Sequence, residues 1–288
     1  MASVRKAYGR EGIASAQNYA PYAVSEEALA HKVLSEQQET NNETMLDRFS
    51  AQAELYARYR IDYPPELYEF LLAHTTHRQQ AWDCATGNGQ VAVVLAEHFQ
   101  HVHATDISSA QLAQAPIRPN ITYQVSPAEH TPLADASVDL ITVGQAVHWF
   151  EANAFNQEVR RVARPGATVV EWGYGLVQVH ESLDPLIRQF YSGTMQPYWD
   201  ENRWHIDDEY VRIPFPFEAV QHAQFVVRRQ WSAEWLLNYL RTWSSVVKYE
   251  KQHGQDPVLL LAKQLTQLWG PQEQEVQFPV FLRLGRVG

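Results

Sequence analysis

The sequence predicts a doubly wound α/β fold built on a seven-stranded, mostly parallel sheet. From about residue 81 onward, short apolar segments alternate with amphipathic helical segments. A glycine-rich turn, Gly87-Asn88-Gly89, follows the first apolar segment. Hydrophobic residues make up 45% of the 288 residues and charged residues 19%, so we expect a packed core.

The N-terminal part differs in composition from the rest of the chain. Residues 1–45 are rich in Ala, Glu, Gln, Asn and Ser, and we expect an arm that is a mobile tail, a lid over a pocket or a segment swapped between subunits. A denser pattern of apolar residues begins at Met45, and we expect one domain over residues 46–288. A helix is expected before Asp62, and Pro65 is expected to open the next helix, since proline suits the first helical turn.

Seven apolar segments are predicted as strands. They are, in order, AWDCAT, VHATDI, ITYQVS, SVDLITVGQA, ATVVEWGYG, QFVVRRQW and QFPVFLRLGRV. Helices between the first five favour parallel pairing with right-handed crossovers. The last segment follows two predicted helices over about 232–270, the first from Ser232, as its N-cap, to Gly254. We expect this last segment to pair antiparallel with the sixth. The irregular, aromatic segment at about 176–223 is expected to cover the functional site together with those helices.

Charge around the glycine-rich turn indicates the kind of nucleotide that binds there. Gly87, Gly89 and Ala92 satisfy a loose dinucleotide fingerprint. Asp83 at the preceding strand tip would repel a pyrophosphate, but it would attract the cationic amino and sulfonium groups of S-adenosylmethionine. Asp106 ends the second strand, where a carboxylate can bind both ribose hydroxyls; the alternative is a helix cap.

These residues are similar to the motifs of the class I S-adenosylmethionine-dependent methyltransferases, within them the type 11 small-molecule group and its trans-aconitate methyltransferase-like proteins. The likeness also rests on Tyr56 to Pro64, Gln145 to Phe150 and Leu240 to Ser244. It implies a cofactor site for S-adenosylmethionine, with S-adenosylhomocysteine as product, formed by Arg58, Asp83, Ala85, Gly87, Asn88, Gly89, Asp106, Ile107, Ser126, Ala128, Glu129 and Gln145. Two positions depart from the pattern: Ala85 replaces a glycine, and Pro127 stands where the family often has an aspartate.

Residues after the fourth strand are expected to face the transferable methyl group. His148 is the candidate general base, because its ordinary pKa lies near neutrality; the alternative is a histidine that only orients substrate or backbone. Gln52, Tyr56, Trp149 and Trp172 are the candidate substrate-binding residues. The resemblance implies methyl transfer to a small molecule, first of all to a carboxylate or hydroxyl oxygen. The alternatives are a C- or N-methyltransferase of a natural product or aromatic metabolite, and a non-catalytic S-adenosylmethionine-binding protein.

Composition argues against several other classes of protein. The formal charge of -10 disfavours a nucleic-acid partner or an anionic membrane surface. One cysteine permits no intrachain disulfide and no cysteine-rich zinc site, and His98, His101 and His103 are read as surface residues, so no metal is expected. We expect a cytoplasmic enzyme, and a homo-oligomer is left open.

Overall fold

A computed structural model describes residues 58–288, whose strands form one mixed seven-stranded sheet. The order is β3-β2-β1-β4-β5-β7-β6; β1 to β5 are parallel, and β7 runs antiparallel to both of its neighbours, β5 and β6. The strands are β1 (Gln80–Cys84), β2 (His101–Asp106), β3 (Ile121–Val125), β4 (Val138–Gly144), β5 (Ala163–Tyr174), β6 (Glu218–Trp231) and β7 (Gln274–Arg286). The predicted doubly wound seven-stranded sheet is therefore confirmed.

Helices cover both faces of this sheet. They are α1 (Pro65–Ala73), α2 (Gln90–Leu95), α3 (Ser109–Leu112), α4 (Ala152–Val162), α5 (Asp184–Gln189), α6 (Trp204–Asp207), α7 (Ala233–Arg241), α8 (Ser244–His253) and α9 (Leu259–Trp269). Their apolar side chains form a core on each face: Leu67, Leu71 and Leu95 pack on one, and Phe155 and Val159 on the other. The central strand β4 is consequently buried along almost its whole length, as its continuous apolar sequence predicts.

Local sequence signals set several helix starts correctly. Pro65 occupies the first turn of α1, where its missing N–H costs no hydrogen bond. The Ser232 hydroxyl accepts the N–H of Trp235 and caps α7.

Two expectations about the segments predicted to cover the functional site are corrected. The single helix expected from Ser232 to Gly254 is broken into α7 and α8, because Trp243 adopts an extended backbone and buries its indole against Phe190 and Tyr191. The sixth strand begins at Glu218 rather than Gln224, with an irregular register at its start. Burial of one large aromatic ring thus overrides a continuous helical pattern.

The segment expected to be irregular contains short helical turns. Besides α5 and α6 it holds a π-helical turn (Phe190–Thr194) and two 3₁₀ turns (Gln196–Tyr198 and Glu201–Arg203). The boundary predicted between residues 45 and 46 lies outside the described residues and stays a prediction. No helix within residues 58–288 is long and apolar enough to cross a membrane.

Candidate active site

Two adjoining cavities lie at the carboxyl ends of the parallel strands β1, β2 and β4. The larger, about 340 Å³, is lined by Ala85, Gly87, Asp106, Ile107, Gln111, Ser126, Ala128, Glu129, Gly144, Gln145, Ala146, Trp149 and Phe150. The smaller, about 60 Å³, is lined by Tyr63, Asp83, Ala85, Thr86, Gly87, Asn88, Gln90, Val91, Gly144 and Gln145. This is the edge at which open α/β sheets bind ligands, since the strand order reverses beside β1.

The turn between β1 and α2 needs unusual backbone angles. Ala85 has φ +54°, inside the small left-handed region that a residue with a Cβ can still occupy. Gly89 has φ +81°, and a Cβ there would lie 2.6 Å from the hydroxyl oxygen of Tyr123. Gly89 therefore serves close packing against β3, while Ala85 reaches both cavities.

Asp83 is a buried carboxylate at the tip of β1. Only 1% of the residue is exposed, and it accepts hydrogen bonds from the hydroxyls of Thr86 and, at 2.8 Å, Thr142. Thr142 stands opposite Asp83 in the register of β1 with β4. Burial raises the pKa of Asp83 to about 6, although both hydroxyls oppose that shift. A cation in the smaller cavity would relieve this strain on the ionised form.

Asp106 points back toward the glycine-rich turn from the end of β2. Its two carboxylate oxygens accept the N–H groups of Gly87 and Ser108, each at 2.8 Å. Ser108, not Asp106, caps α3 by accepting the N–H of Gln111. Ile107 beside it is 76% exposed and lines the larger cavity, so an apolar surface is available to a flat ring.

The loop after β3 supplies another part of the larger cavity. The Ser126 hydroxyl donates to the carbonyl of His130 at 3.0 Å. The Glu129 carboxylate accepts the N–H of Glu151 at 2.9 Å. Both side chains are thus held in place by the backbone, and Ala128 completes this part of the wall.

Gln145 ties the ends of β4 and β5 together. Its backbone has φ +58°, and its side-chain oxygen accepts the N–H of Tyr174 at 2.8 Å. At the preceding position, a Cβ on Gly144 would lie 3.0 Å from the indole of Trp172. The fully buried Trp172 lines neither cavity, and its predicted substrate contact stays a prediction.

His148 and Trp149 follow β4 in a short 3₁₀ helix, Val147–Trp149, and have opposite exposures. Trp149 is 51% exposed and lines the larger cavity, whereas His148 is 6% exposed. The Nδ1 atom of His148 lies 3.3 Å from the hydroxyl oxygen of Tyr210. Burial, and then the charges of Arg203 and His205, lower the pKa of His148 to about 3. This histidine is therefore neutral and a weak base.

A buried ion pair holds Tyr210 in that position. Arg283 and Glu171 approach to 2.6 Å, and Arg283 also donates to the carbonyl oxygens of Tyr210 and Ile213, both at 2.9 Å. Tyr210 is fully buried at φ +64°, a conformation uncommon for a bulky residue. The pair on β5 and β7 thus anchors the covering segment over His148.

Most of the predicted cofactor-binding residues lie together at the two cavities. The exceptions are Gly89, which packs behind the turn, and Arg58, which is exposed with its guanidinium 5.4 Å from the ring of Tyr59. Gln52 and Tyr56 lie outside the described residues. Lining residues that were not among the predicted site residues include Thr86, Gln90, Val91, Gln111 and Ala146. Their only signal was position, since Thr86 and Ala146 lie in the turns after β1 and β4 and the other three lie in the short helices α2 and α3. No group of three or more potential metal ligands occurs between residues 58 and 288.

Comparisons with known proteins identify the family of the chain. The methyltransferase-domain family matches residues 82–170. A methyltransferase of Dictyostelium discoideum is 30% identical over 249 residues, which are 83% of this chain and 95% of that protein. A solved structure of a protein named as a type II methyltransferase from Anaeromyxobacter dehalogenans is 38% identical, with a TM-score of 0.73, over 80% of this chain and 98% of that one.

A more distant solved structure shares the fold. It is a methyltransferase from Anabaena variabilis, 17% identical with a TM-score of 0.52, over 77% of this chain and 97% of that one. The trans-aconitate methyltransferase-like subtype stays a prediction. The similarity over nearly the full length of the Dictyostelium and Anaeromyxobacter proteins shows the family. The chain belongs to the class I S-adenosylmethionine-dependent methyltransferases.

Proposed function

We propose that this enzyme methylates an oxygen atom, of a carboxylate or a hydroxyl group, in a small-molecule acceptor. The observation that carries the donor side of the proposal is the placement of the two carboxylates in adjoining cavities that share Gly144 and Gln145. Asp106 suits a ribose in the larger cavity, and Asp83 suits a cationic amino group in the smaller one. The methyl group would then lie near the shared end of β4.

The donor fits these residues chemically. When bound, S-adenosylmethionine supplies a methyl carbon activated by its sulfonium. Ile107 and Ala128 offer apolar surface to the adenine, with Ser126 and Glu129 as polar neighbours. The carboxylate of Asp106 has its two N–H donors in place, so its remaining lone pairs can accept ribose hydroxyls without a change in the turn.

The protein's contribution to the transfer is alignment and exclusion of water. The burial of His148 beneath Tyr210 of the covering segment keeps that side of the site dry. A neutral, weakly basic His148 favours an acceptor that is already ionised over one that must lose a proton first. A carboxylate therefore fits better than an alcohol, and C- or N-methylation and a non-catalytic role remain the alternatives.

The donor site is tested by calorimetric titration of S-adenosylmethionine into wild type and Asp106→Ala. We expect the variant to bind about 10- to 100-fold more weakly, as for a lost hydrogen-bonded charge. Equal affinity would contradict the ribose assignment. Incubation with methyl-labelled donor and a metabolite extract tests turnover: labelled, base-labile esters support carboxylate methylation, stable ethers support hydroxyl methylation, and no labelled product supports the non-catalytic alternative.

A further inference from the structure

Arg203 is a largely buried cation in the segment that covers the site. It ends the 3₁₀ turn Glu201–Arg203, and only 16% of its side chain is exposed. Its guanidinium carbon lies 5.3 Å from the ring centre of Tyr191 and 5.1 Å from that of Trp199. The two rings hold the guanidinium by cation–π contact, and its N–H groups remain able to donate hydrogen bonds in the plane of the group.

One edge of this guanidinium lacks a hydrogen-bond partner among residues 58–288. The Nη1 atom is shielded from solvent and donates to no described atom. The nearest carboxylate oxygen, Oδ1 of Asp207, is 3.6 Å away, too far for a hydrogen bond. Both oxygens of Asp207 instead accept the hydroxyl of Tyr191, at 2.8 and 2.9 Å, and its side chain is 50% exposed. The buried charge is thus only partly compensated, which is costly unless an anion completes it.

Arg203 lies near the ends of β4 and β5, where we expect the acceptor to bind. The turn that carries it packs against the 3₁₀ helix Val147–Trp149, directly after β4. Its charge acts on His148 in that helix and on Tyr174 at the end of β5. Both strands end at the edge where the two cavities meet. Arg203 itself lines neither cavity. Its turn packs beside the shared end of β4, so its charge acts on an acceptor that is aligned there with the donor methyl.

We infer that Arg203 determines the specificity for the acceptor by binding the carboxylate of a small acid with an aromatic or apolar body. This rests on the proposed function and deepens it. One carboxylate oxygen accepts the free Nη1–H of Arg203 and the other attacks the methyl carbon. A lone pair of that oxygen forms the new C–O bond while the C–S bond breaks and its electrons return to sulfur. No proton is transferred, which agrees with the weak basicity of His148. The aromatic rings of Tyr191 and Trp199 favour the apolar body.

The test measures binding of phenylacetate and of its neutral counterpart phenylacetamide to the protein saturated with S-adenosylhomocysteine. In wild type we expect the acid to bind at least about tenfold more tightly than the amide. Arg203→Gln should lose about 10- to 100-fold in affinity for the acid and little for the amide. Arg203→Lys, which keeps the charge but not the planar fork, should fall between them.

A matched control is Arg212→Gln, whose side chain is 70% exposed and whose guanidinium stacks 4.4 Å from the ring centre of Trp204. It should bind both probes as wild type does. All variants should keep the wild-type affinity for S-adenosylhomocysteine and a cooperative thermal transition, which excludes misfolding. With labelled donor, Arg203→Gln should raise KM for phenylacetate far more than it lowers kcat.

Equal binding of phenylacetate and phenylacetamide by wild type would overturn the inference, and so would an unchanged preference for the acid over the amide in Arg203→Gln. Phenyl phosphate is titrated in the same way, and its binding more tightly than phenylacetate would also overturn the inference. Failure of wild type to bind S-adenosylhomocysteine would instead refute the proposed function. The two failures are therefore distinguishable in the same titrations.

Discussion

Replacing the carboxylate of Asp83 by an amide should stabilise the unliganded protein and weaken donor binding at the same time. Burial raises the pKa of this residue from 3.8 to about 6, so folding disfavours its ionised form. At about 1.4 kcal/mol per pKa unit, the ionised group costs about 3 kcal/mol at pH 7. Because the folded protein takes up this proton at a higher pH than the unfolded chain, this contribution makes the wild type more stable as pH falls from 7 toward 4.

The amide removes this cost but keeps part of the hydrogen bonding to Thr86 and Thr142. We therefore expect Asp83→Asn to be about 1–3 kcal/mol more stable than wild type at pH 7, a rise in Tm of several degrees. At pH 8 its affinity for S-adenosylmethionine should be about 10- to 100-fold lower, because a buried charge partner is lost. Thermal unfolding without ligand and calorimetric titration measure the two effects.

The pH dependence separates the charge from a change of shape. Wild type should lose about tenfold in donor affinity between pH 8 and pH 5 as Asp83 takes up a proton, whereas Asp83→Asn should lose little. The control is Asp139→Asn, another buried aspartate, which binds the N–H groups of Gln79 and Gln80 and lines neither cavity. It should be destabilised and keep the donor affinity. Wild-type affinity in Asp83→Asn at pH 8 would refute the electrostatic reasoning.

Three further variants test the surroundings of the site. His148→Ala should change the rate of carboxylate methylation only a few-fold but slow methylation of a base-dependent acceptor about 100-fold. Because the pKa of His148 is lowered to about 3, the pH profile of the wild-type kcat should show no change due to this group between pH 5 and 9. A change in that range would argue that His148 is a catalytic base. In urea unfolding, Ala85→Val should cost more than about 1 kcal/mol at φ +54° while Ala85→Gly should not destabilise; equal effects would contradict that backbone angle. Arg283→Met should destabilise by about 3–5 kcal/mol by leaving Glu171 buried and unpaired, and adding Glu171→Gln should recover part of the loss; a near-neutral single variant would show that the pair does not anchor the cover.

The parallel core of the fold follows from local signals. The strands β1, β2 and β4 each end at or next to a glycine or an acid that is visible in the sequence, so Asp83 and Asp106 could be placed at one edge before any contact was known. Local signals failed to predict the structure where a contact between residues distant in the chain determines the end of a helix. Nothing local breaks the helix at Trp243, since the break serves to bury its indole against Phe190 and Tyr191.

For the residues near the expected acceptor position, the sequence likewise predicted location but not burial or contacts. Position after β4 identified His148 and Trp149, but only the structure shows that one is buried and the other lines a cavity. Arg203 was one of several arginines in the sequence. Its stacking on Tyr191 and Trp199 and its unpartnered Nη1 within the described part of the chain depend on packing between segments.

Periodicity and turn chemistry act over a few neighbouring residues, so the succession of strands and helices along the chain and the glycine-rich turn after β1 could be predicted from the sequence alone. The burial of Asp83 and His148, their resulting pKa values and the burial of the cation Arg203 were decided only by the tertiary structure. The physical reason is that desolvation and charge interactions depend on groups that are far apart in the chain and meet only after folding.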